Sequence, residues 1–551
     1  MKWMRTILCV LLLFFMVVCW MPTESHALEG TYGDKLTWTF EDGCLTISGS
    51  GHMPIDKAVP WNDLKESITT VVLEPGVSSV GRLAFSGCVN LTSVTLPESV
   101  ATIEYMAFAF CTKLEQIQIP ERVLKIDDRA FLECSSLVSL HIPDKVMYIR
   151  ESTFSGCSSL VSVRLSPDTY LIENNAFLGC SSLTSIALPE SLHSLGCNVF
   201  EDCSSLESIV IPENITVIPN YAFRNCESLT SITLSPNITE IGNSAFAQCS
   251  SLASISIPNG LTRIEFDAFD GCQQLKTVSI SSMENWLNTA ILSSPMAYGA
   301  ELYLNGQQVT ELVIPAGIAM IPSSAFSGCQ SIRRVTIPEG VVEIGAVAFR
   351  NCSNLESVFF VAEPNLINYD AFEGCGNLKE VHISNLLRWL DTTFVHEFSN
   401  PLANRADLYL NGQPVTELVI PKGTEIISDF TFAGCQSIRK VTIPRGIQQI
   451  GAYAFHNCKN LETVKFKGKP KNVSNNAFAG CDQLKNFPYP TEDLPLEDWY
   501  VPDQEEDAAE KPAMFSQGLA RTRLISNWSN FFFKFLVASG CYLLATRRRR
   551  Y

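Results

Sequence analysis

Residues 203–226 read Cys203-Ser204-Ser205-Leu206-Glu207-Ser208-Ile209-Val210-Ile211-Pro212-Glu213-Asn214-Ile215-Thr216-Val217-Ile218-Pro219-Asn220-Tyr221-Ala222-Phe223-Arg224-Asn225-Cys226. From Ser208 to Ile211 a strand would set Ile209 and Ile211 on one face and Ser208 and Val210 on the other until Pro212 stops the run, the pattern of a strand with one face in and one face out. The stretch then returns to a cysteine after 23 residues, and it does so along most of the chain. Cys88, Cys111, Cys134, Cys157, Cys180, Cys203, Cys226, Cys249 and Cys272 keep this spacing, as do Cys329, Cys352 and Cys375, and again Cys435, Cys458 and Cys481. All fifteen carry Phe three residues before, an aliphatic residue eight before, and Leu or Ile three after. A fixed period of this length is the signature of a solenoid.

One unit offers about six inward side chains and cannot bury them alone, so neighbouring coils must cover them. The spacing predicts Val94 over Ile117 over Leu140 at the ~4.8 Å strand separation, giving a parallel sheet along one side and layered Ile, Phe, Cys and Leu ladders inside. Stacked cysteines have nearly parallel Cβ vectors at that separation, a poor geometry for a disulfide. They are expected to be buried thiols, and a single row cannot surround a metal tetrahedrally. Cys44 and Cys197 lie off the spacing and are left open between paired and free.

The spacing skips twice, at residues 281–310 and 384–416, where related text appears. Trp286-Leu287 precedes Leu302-Tyr303-Leu304-Asn305-Gly306, and Trp389-Leu390 precedes Leu408-Tyr409-Leu410-Asn411-Gly412. Asn-Gly between alternating apolar runs signals a two-residue hairpin. Each insertion is read as a short helix around the Trp followed by a hairpin. Its role is open between a recognition loop and a joint that re-registers the stack.

Residues 28–68 lack the repeat but carry a hairpin built on Gly43, expected to cap the first coil. The repeat occupies residues 69–488. An acidic, Pro-rich linker follows over 489–521, then a hydrophobic segment over 522–551 closed by Arg547, Arg548, Arg549 and Arg550. Lys2 and Arg5 before an apolar run, with Ser25-His26-Ala27 after it, predict a signal peptide over 1–27, cleaved after Ala27; the alternative is an uncleaved membrane helix. The terminal arginines make the last segment a membrane anchor by the positive-inside rule, with an amphipathic tail as the alternative.

The formal net charge of −17, with Lys and Arg at only 40 of 551 residues, argues against nucleic acid as a partner. No HExxH, GxSxG, P-loop or Rossmann glycine pattern occurs, so no catalytic residue, metal ligand or cofactor is assigned and the chain is read as a non-enzyme. His141 and His382 fall at outward strand positions and read as solvated face residues. What remains for function is the outward strand face. Ser139, Ser162, Ser185, Ser208, Ser231 and Ser254, with Trp286 and Trp389 of the insertions, form the candidate binding face. Its hydroxyls suit an extracellular protein ligand; a glycan is the rival, and a run of outward aromatics would favour it.

The Leu-x-x-Val-x-Ile-Pro strand, the Ile-x-x-x-Ala-Phe-x-x-Cys block and the 23-residue spacing resemble the BspA-type (Treponema pallidum-type) leucine-rich repeat family. Gly30-Thr31-Tyr32-Gly33-Asp34-Lys35-Leu36-Thr37-Trp38 and the Leu-Tyr-Leu-Asn-Gly hairpins are similar to exported members from gut-dwelling Gram-positive bacteria. The resemblance implies a leucine-rich-repeat solenoid on the cell surface, used in adhesion to host proteins, matrix or other cells. A structural surface-layer role is a further alternative. The resemblance supplies no binding residue.

Overall fold

The computed structural model describes residues 27–485 and 487–489. The expected signal peptide up to residue 26, and the linker and anchor from residue 490 on, lie outside the described residues. Among the described residues no helix is long and apolar enough to cross a membrane.

The described chain is a parallel β-solenoid of stacked coils of about 23 residues. Coils stack in the register that the period demands: Ser208 lies beside Ser231, Ile209 beside Ile232 and Val210 beside Thr233. Ile209 and Ile232 point inward and are buried, while their neighbours are exposed. The row is interrupted at residues 114–120, which alternate in burial without forming a regular strand, so one sheet closes at Ser93–Thr95 and the next opens at Ser139–His141.

A second row of parallel strands runs along another side of the coil, two residues per turn. Val217–Ile218, Glu240–Ile241, Arg263–Ile264 and Ala290–Ile291 pair in order. The aliphatic residue eight before each cysteine is the inward member of this row, so one coil closes its backbone hydrogen bonds on two sides rather than one.

Between the second row and the cysteine, the backbone enters the left-handed region twice. Tyr221 and Asn225, five and one before Cys226, have φ of 59°. A non-glycine residue there costs roughly 1–2 kcal/mol. In this segment the N–H groups of Tyr221, Phe223 and Asn225 point along the stack, where they donate to the carbonyls of Asn243, Ala245 and Ala247 at 2.9, 2.8 and 2.8 Å. Three interlocked hydrogen bonds per coil offset the strain.

The phenylalanines form a column of offset-stacked rings inside. Phe223 and Phe246 have centroids 5.5 Å apart and planes 2° apart. Beside them the cysteines act as donors: the Cys226 thiol donates to the Phe200 carbonyl at 3.2 Å, and the same bond recurs coil after coil. All fifteen spaced cysteines are buried free thiols. Burial pushes Cys134 and Cys375 up to about 12. Cysteine fits this position because it fills a small apolar gap and still satisfies a buried carbonyl.

At the amino end, β1 (Leu28–Tyr32), β2 (Leu36–Glu41) and β3 (Cys44–Gly49) form an antiparallel meander. Strand β3 continues in parallel onto β4 (Thr70–Leu73), the first strand of the stack. Trp61 roofs the core at this end, edge-on to Tyr32 and stacked on Phe85.

Candidate binding surface

Because alternate residues of the main row point away from the core, the six predicted serines are all exposed. Strand pairing sets Ser139, Ser162 and Ser185 side by side, then Ser208 and Ser231, then Ser254 beside Thr277. They form a hydroxyl column flanked by exposed Val138, Val161 and Val210.

Trp286 and Trp389 do not belong to this face. Both are buried, which corrects the expectation that they offer contact area. Trp286 sits on the helix Met283–Leu287, started by the Ser282 side chain accepting from the Asn285 N–H. Its indole N–H donates to the Ala325 carbonyl at 3.2 Å. Trp389, on the helix Leu386–Asp391, donates likewise to Thr431 at 3.0 Å, and Trp61 donates to Ala84 at 2.8 Å. Ala84, Ala325 and Thr431 each precede the first Phe of a cysteine array, at a site where later coils receive a backbone N–H from the coil before. The insertions also close the preceding array: Phe372 N–H donates to the Phe398 carbonyl at 3.0 Å, and Gly271 N–H to the Tyr298 hydroxyl at 2.9 Å. Of the two roles left open, the geometry matches the joint. The hairpins form as expected, with φ of 50° and 79° at Asn305 and Gly306 and 51° and 78° at Asn411 and Gly412.

The outward face carries a feature that the serine column conceals. Strands Ser357–Phe360, Glu380–Ile383 and Asp407–Leu410 pair in parallel, placing Phe359, His382 and Tyr409 in one outward row. The His382 ring is sandwiched between Phe359 at 4.1 Å and Tyr409 at 4.5 Å, with planes 11° and 22° apart. The Arg334 guanidinium covers the far side of Phe359 at 5.4 Å from the ring centre. His382 is therefore a half-buried member of a stack rather than a freely solvated residue. In the adjoining row Glu380 lies beside Asp407; Glu380 accepts from His382 Nε2 at 3.0 Å, and Arg334 pairs with Glu311 at 3.5 Å. Burial and the Glu380 charge raise the Asp407 carboxyl above its ordinary range, and Tyr409 rises for the same reasons with Asp407 added.

The side of the second strand row has its own exposed apolar ladder: Leu124, Met147 and Tyr170, 57%, 42% and 44% exposed, ending on His193 stacked 4.4 Å from Tyr170. Extending the period from Leu124 would have found it. Small-molecule chemistry has little foothold beside the first insertion: the concavity lined by Pro258, Asn259, Ser281 and Asn285 holds about 10 Å³, room for one water. Among the described residues no three His, Cys, Asp or Glu side chains are placed to hold a metal ion.

Comparison with known proteins places this geometry. The BspA type leucine rich repeat region matches residues 63–184, 170–294, 298–400 and 406–495. Among solved structures, the chain is similar to a leucine-rich repeat protein from Bacteroides ovatus, at 23% identity over 82% of this chain and 92% of that one, TM-score 0.38. It is similar to a leucine rich cell surface protein from Faecalibacterium prausnitzii, at 23% identity over 81% and 97%, TM-score 0.25. A leucine rich repeat protein from T. pallidum matches at 24% identity over 42% of this chain and 90% of that one, TM-score 0.26. No curated protein matches. With the repeat matched over most of its length and its coils, thiol ladder and strand rows in place, the chain belongs to the BspA-type leucine-rich repeat family.

Proposed function

We propose that this chain is an exported, non-catalytic surface repeat protein that binds another protein through the outward face of its main strand row, in adhesion to host matrix or other cells. The observation that carries the reading is the division of labour along each strand. Inward positions such as Ile209 and Ile232 are consumed by the core, and the outward positions line up coil after coil as a long, solvent-facing surface. Repeat stacks offer such extended surfaces to macromolecules rather than deep pockets to small ones. Family membership supports a protein-binding module. Export rests on the signal-peptide reading of residues 1–27, and tethering on the apolar segment with its arginine tail.

Glycan binding is the weaker alternative. Sugars stack on open aromatic faces, whereas the faces of His382 are covered by Phe359 and Tyr409, and Phe359 lies between His382 and Arg334. Capture assays of residues 28–520 against matrix proteins, whole bacterial cells and a glycan array test the reading. The expected result is a protein or cell ligand whose capture is weakened by Ser185→Glu, Ser208→Glu and Ser231→Glu together. Binding to glycans alone would overturn it.

A further inference from the structure

We infer that the Phe359, His382 and Tyr409 column, with Glu380 and Asp407 alongside, is the high-affinity spot of the outward face and takes a basic side chain, flanked by an apolar residue, from an extended segment of a protein partner. The inference rests on the reading of the outward face as the protein-binding surface and deepens it.

Two features argue for this occupant. The first is rigidity. Each ring is held by its neighbours, with centroids 4.1 and 4.5 Å apart, so the rims facing solvent are ordered before a partner arrives. Ordered aromatic groups lose little conformational entropy on contact, and such residues dominate interface energies. The second is charge. Glu380 and Asp407 occupy adjacent register positions, which places like charges about 5 Å apart across neighbouring strands. Arg334 is engaged by Glu311 on the far side of Phe359, and among the described residues no Lys or Arg pairs with Asp407. A carboxylate pair of this kind, half-buried beside apolar rims, is complementary to a guanidinium or ammonium group delivered next to an apolar side chain. The first insertion supplies an internal comparison. Its Glu301 and Tyr303 repeat the spacing of Asp407 and Tyr409, yet Tyr303 lies beside Ser279 rather than an aromatic ring, and its hydroxyl donates to Glu301.

The test uses the full chain and a short synthetic peptide of alternating Arg and Leu carrying a central benzophenone, compared with the same peptide in which citrulline replaces Arg. Fluorescence anisotropy gives affinity, photo-cross-linking gives position, and thermal melting checks that each variant folds. The arginine peptide should bind at least about tenfold more tightly than the citrulline peptide and cross-link within residues 356–414. Glu380→Gln with Asp407→Asn should lose about tenfold in affinity, Tyr409→Ala should abolish the cross-link, and Glu301→Gln should change neither. Equal affinity for the two peptides, no binding of either, or unchanged affinity of the Glu380→Gln/Asp407→Asn variant would overturn the inference. Cross-links confined to the serine column would refute this spot and leave the outward-face reading standing; cross-links away from the outward strands would refute both.

Discussion

The indole N–H of Trp286 reaches the carbonyl of Ala325, 39 residues further along the chain, and takes the place that a whole preceding coil fills elsewhere. Inside an array that carbonyl is satisfied by backbone, as when Phe326 N–H donates to Ala348 at 2.8 Å. An array's first coil has no such donor. One tryptophan per array, Trp61, Trp286 or Trp389, supplies it, so each insertion is an internal cap that ends one stack and starts the next.

Replacing the Trp286 indole with a ring that cannot donate removes the donor to the buried Ala325 carbonyl, whereas the Thr431 carbonyl opposite Trp389 keeps the Asn400 side-chain amide at 2.9 Å. Trp286→Phe should lower stability by about 1–3 kcal/mol and Trp389→Phe by less, and the Ala variants by about 3–5 kcal/mol. Urea unfolding measures this. A ligand-binding defect without a stability loss would instead support the recognition-loop role.

The same joints need glycine. Gly328 and Gly434 have φ of 81° and 79°, and a Cβ there would lie 2.2 Å from the Met296 carbonyl oxygen and 2.5 Å from that of Leu402. Gly179, at the same place within an array with φ of 72°, has its nearest neighbour at 3.8 Å. Gly179→Ala should cost about 1 kcal/mol, the left-handed penalty alone, and Gly328→Ala at least about twice that. Equal costs would mean that the insertion backbone does not press on the first coil.

The thiol ladder predicts a pH dependence. Burial raises Cys134 from an ordinary 9.0 to about 12. The folded state thus keeps a proton that the unfolded chain releases, so the stabilisation is complete below about pH 9 and is lost as pH rises from there towards 12. Unfolding free energies from pH 8 to 11 should fall steeply, and Cys134→Ala should reduce the fall between pH 9 and 11 by roughly 2–3 kcal/mol. Alkylation of the fifteen cysteines should occur only after denaturation. Parallel pH profiles for parent and variant, or rapid labelling of the native chain, would contradict the buried ladder.

Much of this was legible from the period. Counting by 23 places Phe85, Cys88 and Leu91 in the core and the serines on the face, and Asn-Gly announces both hairpins. The second strand row was not legible, because two residues per coil leave only one inward aliphatic and no alternation to read. Nor was the direction of the tryptophans: an indole before a hairpin looks the same in sequence whether it faces solvent or a carbonyl 39 residues away. The aromatic column escaped for an arithmetic reason. Phe359 and His382 keep the period, but Tyr409 joins them after 27 residues, since the insertion lengthens that coil.

Core positions hold the stack, and outward positions are proposed to bind. The most direct measurement is the affinity of an identified ligand for four chains: parent, Ser185→Glu/Ser208→Glu/Ser231→Glu, Phe200→Ala, and a chain lacking residues 28–68, each with its melting temperature. The triple outward variant should bind about tenfold or more weakly while melting as the parent does, and Phe200→Ala should lose about 3–5 kcal/mol of stability. Unchanged affinity in the outward variant, with binding abolished by removal of residues 28–68, would place the adhesive surface in the amino-terminal meander and contradict the claim.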